Sequence, residues 1–521
     1  MSLVLERRVF PGLAALWRRC TVIFRDDGSA QDAGARRCMA LKLSVFAGIA
    51  LLGVFCGLVV AVAELNGLYL CAALIGCAFI LLDFRIGVVL LILLMPVSST
   101  SVFPRAMFGI TGLNPVNLLL AGTLVSYLLR GLFDGSLRRF MPRPLLWLYV
   151  VPIIIAGALG SSHVGDIAPA LLMLRKPDLR IGAAGYISVQ VVYPLLMVAF
   201  ALLVGAAASR SEKPEKFLIP TLIAIWATGA IVIVFVYLSG ITLGELASST
   251  SREFLSALGM HANEWGRLYV VAYALLLFTW AESKEYGLRI ALLASMGLVV
   301  IALILTFSRG SFLGFIVVNV LFLLWRRNAK ALIFFGLLGA VALFALPEAV
   351  YDRVATGFGG RPGSGFEGGP DAVSAGRVDL IWLPLLPEVL RSPIYGQGLG
   401  SIVWSEAMRR GAGVTILAVG HPHNAYLQAL LDMGVVGLIL VCAYFVHVWK
   451  GFRALSVDPA LSPTLRGFYL GAAAGLASLL ISYFTDSSLL PRPEQVFLWL
   501  AIGMMYGQRA SGPVHEPGSG S

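Results

Sequence analysis

His421-Pro-His-Asn-Ala-Tyr-Leu-Gln-Ala-Leu-Leu-Asp-Met-Gly-Val-Val-Gly437 begins as a polar tip and runs into an apolar, helix-patterned segment that continues to about Val448. Two histidines and an amide therefore stand where a membrane helix meets water. Gly434 and Gly437 lie three apart, on one face of the expected helix. Without side chains there, a neighbouring backbone can approach closely and hold the helix that carries the histidines.

Similar apolar runs recur along nearly the whole chain of 521 residues, which is 58% hydrophobic and only 13% charged, with a mean hydropathy of +0.86. A bilayer core needs about 20 apolar residues per helix, and the runs approach that length. They are uniformly apolar, whereas barrel strands alternate apolar and polar residues over about ten positions. The expected fold is an all-α polytopic membrane protein with about 12–14 transmembrane helices and one long outer loop carrying short helices. The net charge of +11 does not point to nucleic acid, because the basic residues punctuate the apolar runs instead of forming one stripe. Of the six cysteines, Cys20 and Cys38 lie in the N-terminal segment and the other four inside apolar runs, so neither a disulfide framework nor a CxxC site is indicated.

Residues 1–42 form a basic segment expected in the cytoplasm. Ala61-Val62-Ala63 resembles a signal-peptidase site, but the run before it is longer than a signal core, and an uncleaved first helix is expected. Spans are predicted at about 43–63, 66–82, 86–99, 113–131, 145–160, 186–207, 217–239, 265–281, 289–306, 311–325, 331–346, 425–449, 467–485 and 495–508. With both termini inside, 25 of the 39 lysines and arginines fall in cytoplasmic segments, as the positive-inside rule requires. The chain thus divides into the basic segment, a transmembrane bundle over 43–346, a large outer loop over 347–424, C-terminal transmembrane helices over 425–508, and a flexible tail from 509 that ends in Gly-Ser-Gly-Ser521. The loop opens with a Gly-rich stretch, 357–370. It continues through 374–391, which has amphipathic helix character interrupted by Pro384 and Pro387 and suits a bilayer surface. A turn-rich Pro393–Gly400 follows before the chain reaches His421.

His423 is the strongest candidate for chemistry. An imidazole, with an ordinary pKa of about 6.5, accepts a proton from a hydroxyl at neutral pH. The same His423-Asn424 pair is equally suited to cap the entry of the span. His421 and His423 as a metal pair lack an evident third ligand. Arg309, in Thr306-Phe-Ser-Arg-Gly-Ser-Phe312, falls in a short outer turn between two apolar spans. A cation at that boundary suits a lipid-linked phosphate, though snorkelling to headgroups would also place it there. Arg377 is the second external cation to bring to the site, with pairing to Asp379 or a helix-start role as the alternatives. Arg175, Lys176, Arg180 and Arg267 are further outer cations that could guide an anionic substrate or simply be solvated in loops. No Asp-x-Asp pair occurs in any outer segment, and no Walker or dinucleotide motif occurs anywhere.

Together these residues resemble the O-antigen ligase and O-antigen polymerase superfamily of bacterial membrane glycosyltransferases. The resemblance rests on Ser308-Arg309-Gly310 at an outer turn, Gly376-Arg377 followed by Trp382, the Pro393…Gly396-Gln-Gly398-Leu-Gly400 turn, and His423-Asn424 nine residues before Gly434-x-x-Gly437. It implies a GT-C-like helical fold in the bacterial inner membrane with a periplasmic site, and no cofactor. The implied substrates are a glycan on an undecaprenyl-pyrophosphate carrier and an acceptor glycan or lipid A-core. Export components of the polysaccharide pathway are implied as further partners. On that resemblance His423 is the catalytic base, Arg309 and Arg377 engage the pyrophosphate, and transfer is inverting and metal-independent. Polymerase of a surface or secreted polysaccharide is the favoured reading, with the ligase as its alternative and a lipid-linked oligosaccharide flippase behind both. A transporter should show internal repeats and paired broken helices with charges inside its spans; no repeat is evident, and the distinctive residues collect on one face.

Overall fold

The computed structural model describes residues 32–104, 106–134, 141–167, 182–242, 245–246, 250–326, 377–410, 421–485 and 488–511. Eight of its helices are long and apolar enough to cross a membrane. They correspond to fewer spans than the sequence suggests, for reasons that differ by segment. The predicted 43–63 and 66–82 belong to one helical run, Asp32–Leu82, interrupted at Glu64. The predicted 86–99 is the short helix Phe84–Leu94 and a following turn. The spans at 265–281, 311–325 and 495–508 are helices Ala262–Glu282, Arg309–Arg326 and Val496–Ser511, which are either shorter or interrupted by charge. The predicted 331–346, the Gly-rich 357–370, Arg175, Lys176 and Arg180 lie outside the described residues.

The chain separates into two compact units. The first comprises residues 1–87 and 104–129. In it Ser126 Oγ donates to Ile80 O at 2.7 Å, and Phe84 packs edge-on against Tyr127. The only strands among the described residues are the pair Ala106–Met107 and Ile110–Thr111, turned through Phe108 and Gly109, both at positive φ.

The second unit, residues 88–103 and 130–521, contains the polar motifs. Its centre is the packing of Ala262–Glu282 on Pro463–Ser482. Gly467, Gly471 and Gly475, four residues apart, face Phe278 O, Ala274 O and Val271, and a Cβ at either of the first two would stand 2.5 Å from a carbonyl oxygen. Small residues at that spacing let two apolar helices touch backbone to backbone, where dispersion rather than water drives association. The Ala183–Ser209 and Val496–Ser511 helices meet in the same way through Gly205, Gly503 and Gly507.

Three helices contain a wide π-turn: Leu146–Val150, Ser188–Val192 and Val378–Trp382. Each is followed two residues later by proline, at Pro152, Pro194 and Pro384. Proline lacks an N–H and its ring clashes with the carbonyl four residues back; opening the turn removes the clash without ending the helix. The described part of this segment, 377–391, is therefore not interrupted at Pro384 as its sequence suggests. It passes through the wide turn into helix Leu383–Arg391, with Pro387 inside it.

Candidate active site

The Ser308-Arg309-Gly310 turn forms because helix Tyr286–Leu305 ends and helix Arg309–Arg326 begins within three residues. Thr306 Oγ1 closes the first helix on Leu303 O at 2.7 Å, and Phe307 adopts φ 46°. Ser308 and Ser311, both buried, hydrogen-bond through their hydroxyls at 2.9 Å. Helix Ala262–Glu282 presses on this turn through Gly266, whose missing side chain leaves room for Ser311 and Thr306. Arg309 is the first residue of an 18-residue helix. Its guanidinium and the positive end of that helix's dipole both favour an anion.

At the other motif, Asn424 caps helix Ala425–Ser456. Its Oδ1 accepts from Tyr426 N and Leu427 N, both at 3.1 Å. The capping role thus falls to Asn424 alone. His423 precedes the cap at φ 52°, a left-handed conformation that non-glycine residues seldom adopt. His421 packs edge-on to it with ring centroids 4.2 Å apart. Among the described residues no three of His, Cys, Asp and Glu gather as a metal site.

Shared neighbours bring the three motifs together around residues 480–485. Arg377 Nη1 donates to Thr485 O at 3.4 Å, and a Cβ on Gly310 would lie 3.4 Å from Thr485 Oγ1. Tyr426, three residues after His423, donates to Leu480 O at 2.6 Å and packs on Phe484. Trp382 Nε1 donates to Pro422 O at 2.8 Å and so ties the Arg377 segment to the histidine tip. Thr485 is a junction that the sequence reading missed, and its residue type gives no signal.

Arg267 is not a loop cation. It lies inside Ala262–Glu282, 7% exposed, with Nη2 3.1 Å from Glu494 Oε1, itself 2% exposed. Enclosure on this scale requires a partner, since an isolated charge would lose its hydration. Glu264 accepts from His261 N at 2.7 Å and completes a capping box at the start of the same helix.

The two glycines after the histidines do not share a helical face. Gly434, at φ 64° and ψ −171°, breaks the helix. The Pro393–Gly398 loop enters the break and supplies the lost backbone partners. Val435 N donates to Pro393 O at 2.8 Å and Val436 N to Ile394 O at 3.2 Å, while Gln397 N donates to Leu431 O at 2.8 Å and Gly398 N to Asp432 O at 3.0 Å. Any side chain on Gly434 would run into Ile394 and Tyr395. The expected close approach is real, but a loop makes it. Gly437 instead leaves space for Met433 of its own helix.

Asp432 locks this joint and was overlooked in the sequence, although an ionisable residue inside an apolar run is a signal in its own right. It is 4% exposed. Ser401 N and Oγ donate to Oδ1 at 3.0 and 2.8 Å, and Gln428 Nε2 donates to Oδ2 at 2.7 Å. The loop's next residue inward, Leu399, donates to Ala156 O at 3.0 Å, and Tyr186 OH donates to Leu399 O. The segment after Pro393 is thereby fixed between helices Ala425–Ser456, Val151–Ser161 and Ala183–Ile187.

Residues 291–442 match the family model described as Wzy_C, O-antigen ligase. No curated protein matches the chain. The matched residues contain Arg309, Arg377, His421, His423, Asn424, Gly434 and Gly437, whereas Arg180 and Arg267 fall before them. The matched stretch, less than a third of the chain, therefore covers the motifs around Arg309, Arg377 and His423, and over those residues the chain is similar to the O-antigen ligase family.

Proposed function

We propose that the chain transfers a glycan from an undecaprenyl-pyrophosphate carrier to an acceptor sugar hydroxyl on the periplasmic face of the inner membrane, and that it polymerises lipid-linked repeat units. The observation that carries this reading is that the three segments bearing Arg309, Arg377 and His423 meet at one junction, through Gly310, Arg377, Trp382 and Tyr426. His423 takes the proton of the acceptor hydroxyl. The oxygen attacks the anomeric carbon, the carbon–oxygen bond to the pyrophosphate breaks, and configuration inverts. Arg309 and Arg377 stabilise the negative charge that collects on the leaving pyrophosphate, which departs on its lipid. The carrier's sugar–pyrophosphate bond supplies the energy, so a nucleotide is not needed.

The matched description, O-antigen ligase, favours a second reading in which the acceptor is lipid A-core or a protein. A transfer assay in nanodiscs, with chelator present and a synthetic polyprenyl-pyrophosphate repeat unit as sole substrate, separates the two. A product ladder supports the polymerase; products only after lipid A-core is added support the ligase. His423→Ala is expected to lower transfer about 10²–10⁴-fold while leaving the protein monodisperse. Full activity in that variant would overturn the role of His423. Movement of carrier-linked sugar across vesicles without any transfer would overturn the enzyme reading.

A further inference from the structure

Helix Leu383–Arg391 is inside-out. Its inward face carries Leu385, 1% exposed, and Glu388, 3% exposed. Glu388 Oε1 accepts from Ala407 N at 3.0 Å, and Oε2 pairs with Arg391 at 3.1 Å; Arg391 also pairs with Glu406. Its outward face carries Leu383, Leu386 and Leu390, which are 52%, 50% and 76% exposed. A helix bathed in water would bury its leucines and expose its carboxylate. This one buries its carboxylate and exposes three of its four leucines, so its outer surroundings are apolar.

The surface does not end with the helix. Ile394 and Tyr395, 54% and 71% exposed, continue it. Their backbone enters the Gly434 break, where Val436 N donates to Ile394 O. From that point the membrane helix changes character. Ala425–Gly434 has no exposed residue and holds Gln428 and Asp432, whereas Val435, Val436 and Ile439 are exposed and apolar. One apolar surface therefore runs from Leu383 to Ile439 and begins on the membrane helix at the break.

We infer that the bilayer's hydrocarbon boundary, on the His423 side, crosses this chain at Gly434, and that Leu383–Arg391 lies along that boundary with its leucines in the acyl region. The occupant of the face is lipid. Continuity with an apolar membrane helix selects it, and Arg391, held by two carboxylates at the helix end, leaves the face itself uncharged. His423 then stands about 15 Å beyond the hydrocarbon, ten helical residues at about 1.5 Å each, inside walls made of protein. A lipid-linked substrate must raise its pyrophosphate above the headgroups to reach it. This inference does not depend on the transfer reaction and can fail separately from it.

The test reads lipid contact directly. The full chain is reconstituted in phosphatidylethanolamine–phosphatidylglycerol liposomes with a nitroxide at Leu386→Cys, Leu390→Cys, Val436→Cys, Ile439→Cys or Arg409→Cys, each in a chain whose six native cysteines are alanine. Power saturation with oxygen and a nickel chelate should give oxygen preference at 386 and 390. The depth should increase through 436 to 439, and 409 should prefer nickel. Nickel preference at 386 and 390 would overturn the proposal, and so would exclusion of both reagents, which would mean that protein covers the face. Photocrosslinking repeats the test with native cysteines in place. Benzoylphenylalanine at position 390 should capture tritiated phospholipid as it does at 436 and unlike 409; capture no greater than at 409 is the contrary result.

Discussion

Two helical runs in this molecule are broken by a single non-helical residue, and the breaks are built in opposite ways. In Asp32–Leu82 the residue is Glu64, at φ 49° and ψ −128°. It is exposed, and the chain doubles back there, since Gly67 abuts Val59. In Ala425–Ser456 it is Gly434, buried, with the Pro393–Gly398 backbone seated in the gap. A break at a hairpin tip has water for its unpaired amides and tolerates a charged residue. A break inside the protein must replace every lost hydrogen bond from another segment, and only glycine leaves room for that segment.

The largest expected effect follows from filling the second break. Gly434 occupies a φ/ψ region that is essentially closed to side chains, and a methyl group there would overlap Ile394 as well. Gly434→Ala should cost about 4 kcal/mol, from roughly 1–3 of strain plus a similar overlap term. It should also abolish transfer, because the loop that braces the histidine helix is expelled. Thermal unfolding in detergent and the transfer assay check this together. Wild-type stability would mean that the loop is not bound in the gap.

The lock beside the break comes next. Asp432→Ala leaves Ser401 Oγ and Gln428 Nε2 buried without their acceptor, at an expected cost of about 2–3 kcal/mol. The exchange Asp432→Asn with Gln428→Glu re-creates an amide–carboxylate pair in reversed order. It should recover most of the stability that Asp432→Ala loses, and recovery no better than Asp432→Ala would dismiss the side-chain lock. Neither substitution touches substrate, so a fall in kcat with KM held would mark Asp432 as positioning the helix start that carries His423.

The sequence announces these features unequally. Thirteen predicted spans fall on helices because uniform apolarity over 15–20 residues leaves little else possible in lipid, although length and charge reduce the number that qualify as full crossings. Gly434 was legible as a close approach, but Gly-x-x-Gly cannot tell a neighbouring helix from a loop. Asn424 and His423 looked interchangeable as caps; only backbone geometry separates the residue that caps from the residue held at positive φ beside it. Arg267 read as a loop cation because its partner Glu494 is 227 residues away, beyond any local pattern. Thr485 contributes a carbonyl and a position, and neither depends on residue type enough to be seen in advance.

The smallest effect belongs to the first break. Glu64 has a Cβ at a φ that side chains disfavour, and the residue is exposed. Glu64→Gly should therefore relieve strain and stabilise the protein by about 1 kcal/mol, offset in part by greater freedom in the unfolded chain. The gain would appear as a slightly higher midpoint of thermal unfolding with transfer unchanged. The sign matters more than the size: glycine is expected to help at Glu64, as alanine is expected to harm at Gly434. Destabilisation on Glu64→Gly would show that the carboxylate side chain holds the hairpin tip, and the two breaks would then both be locked by an acidic residue, Glu64 in one and Asp432 in the other.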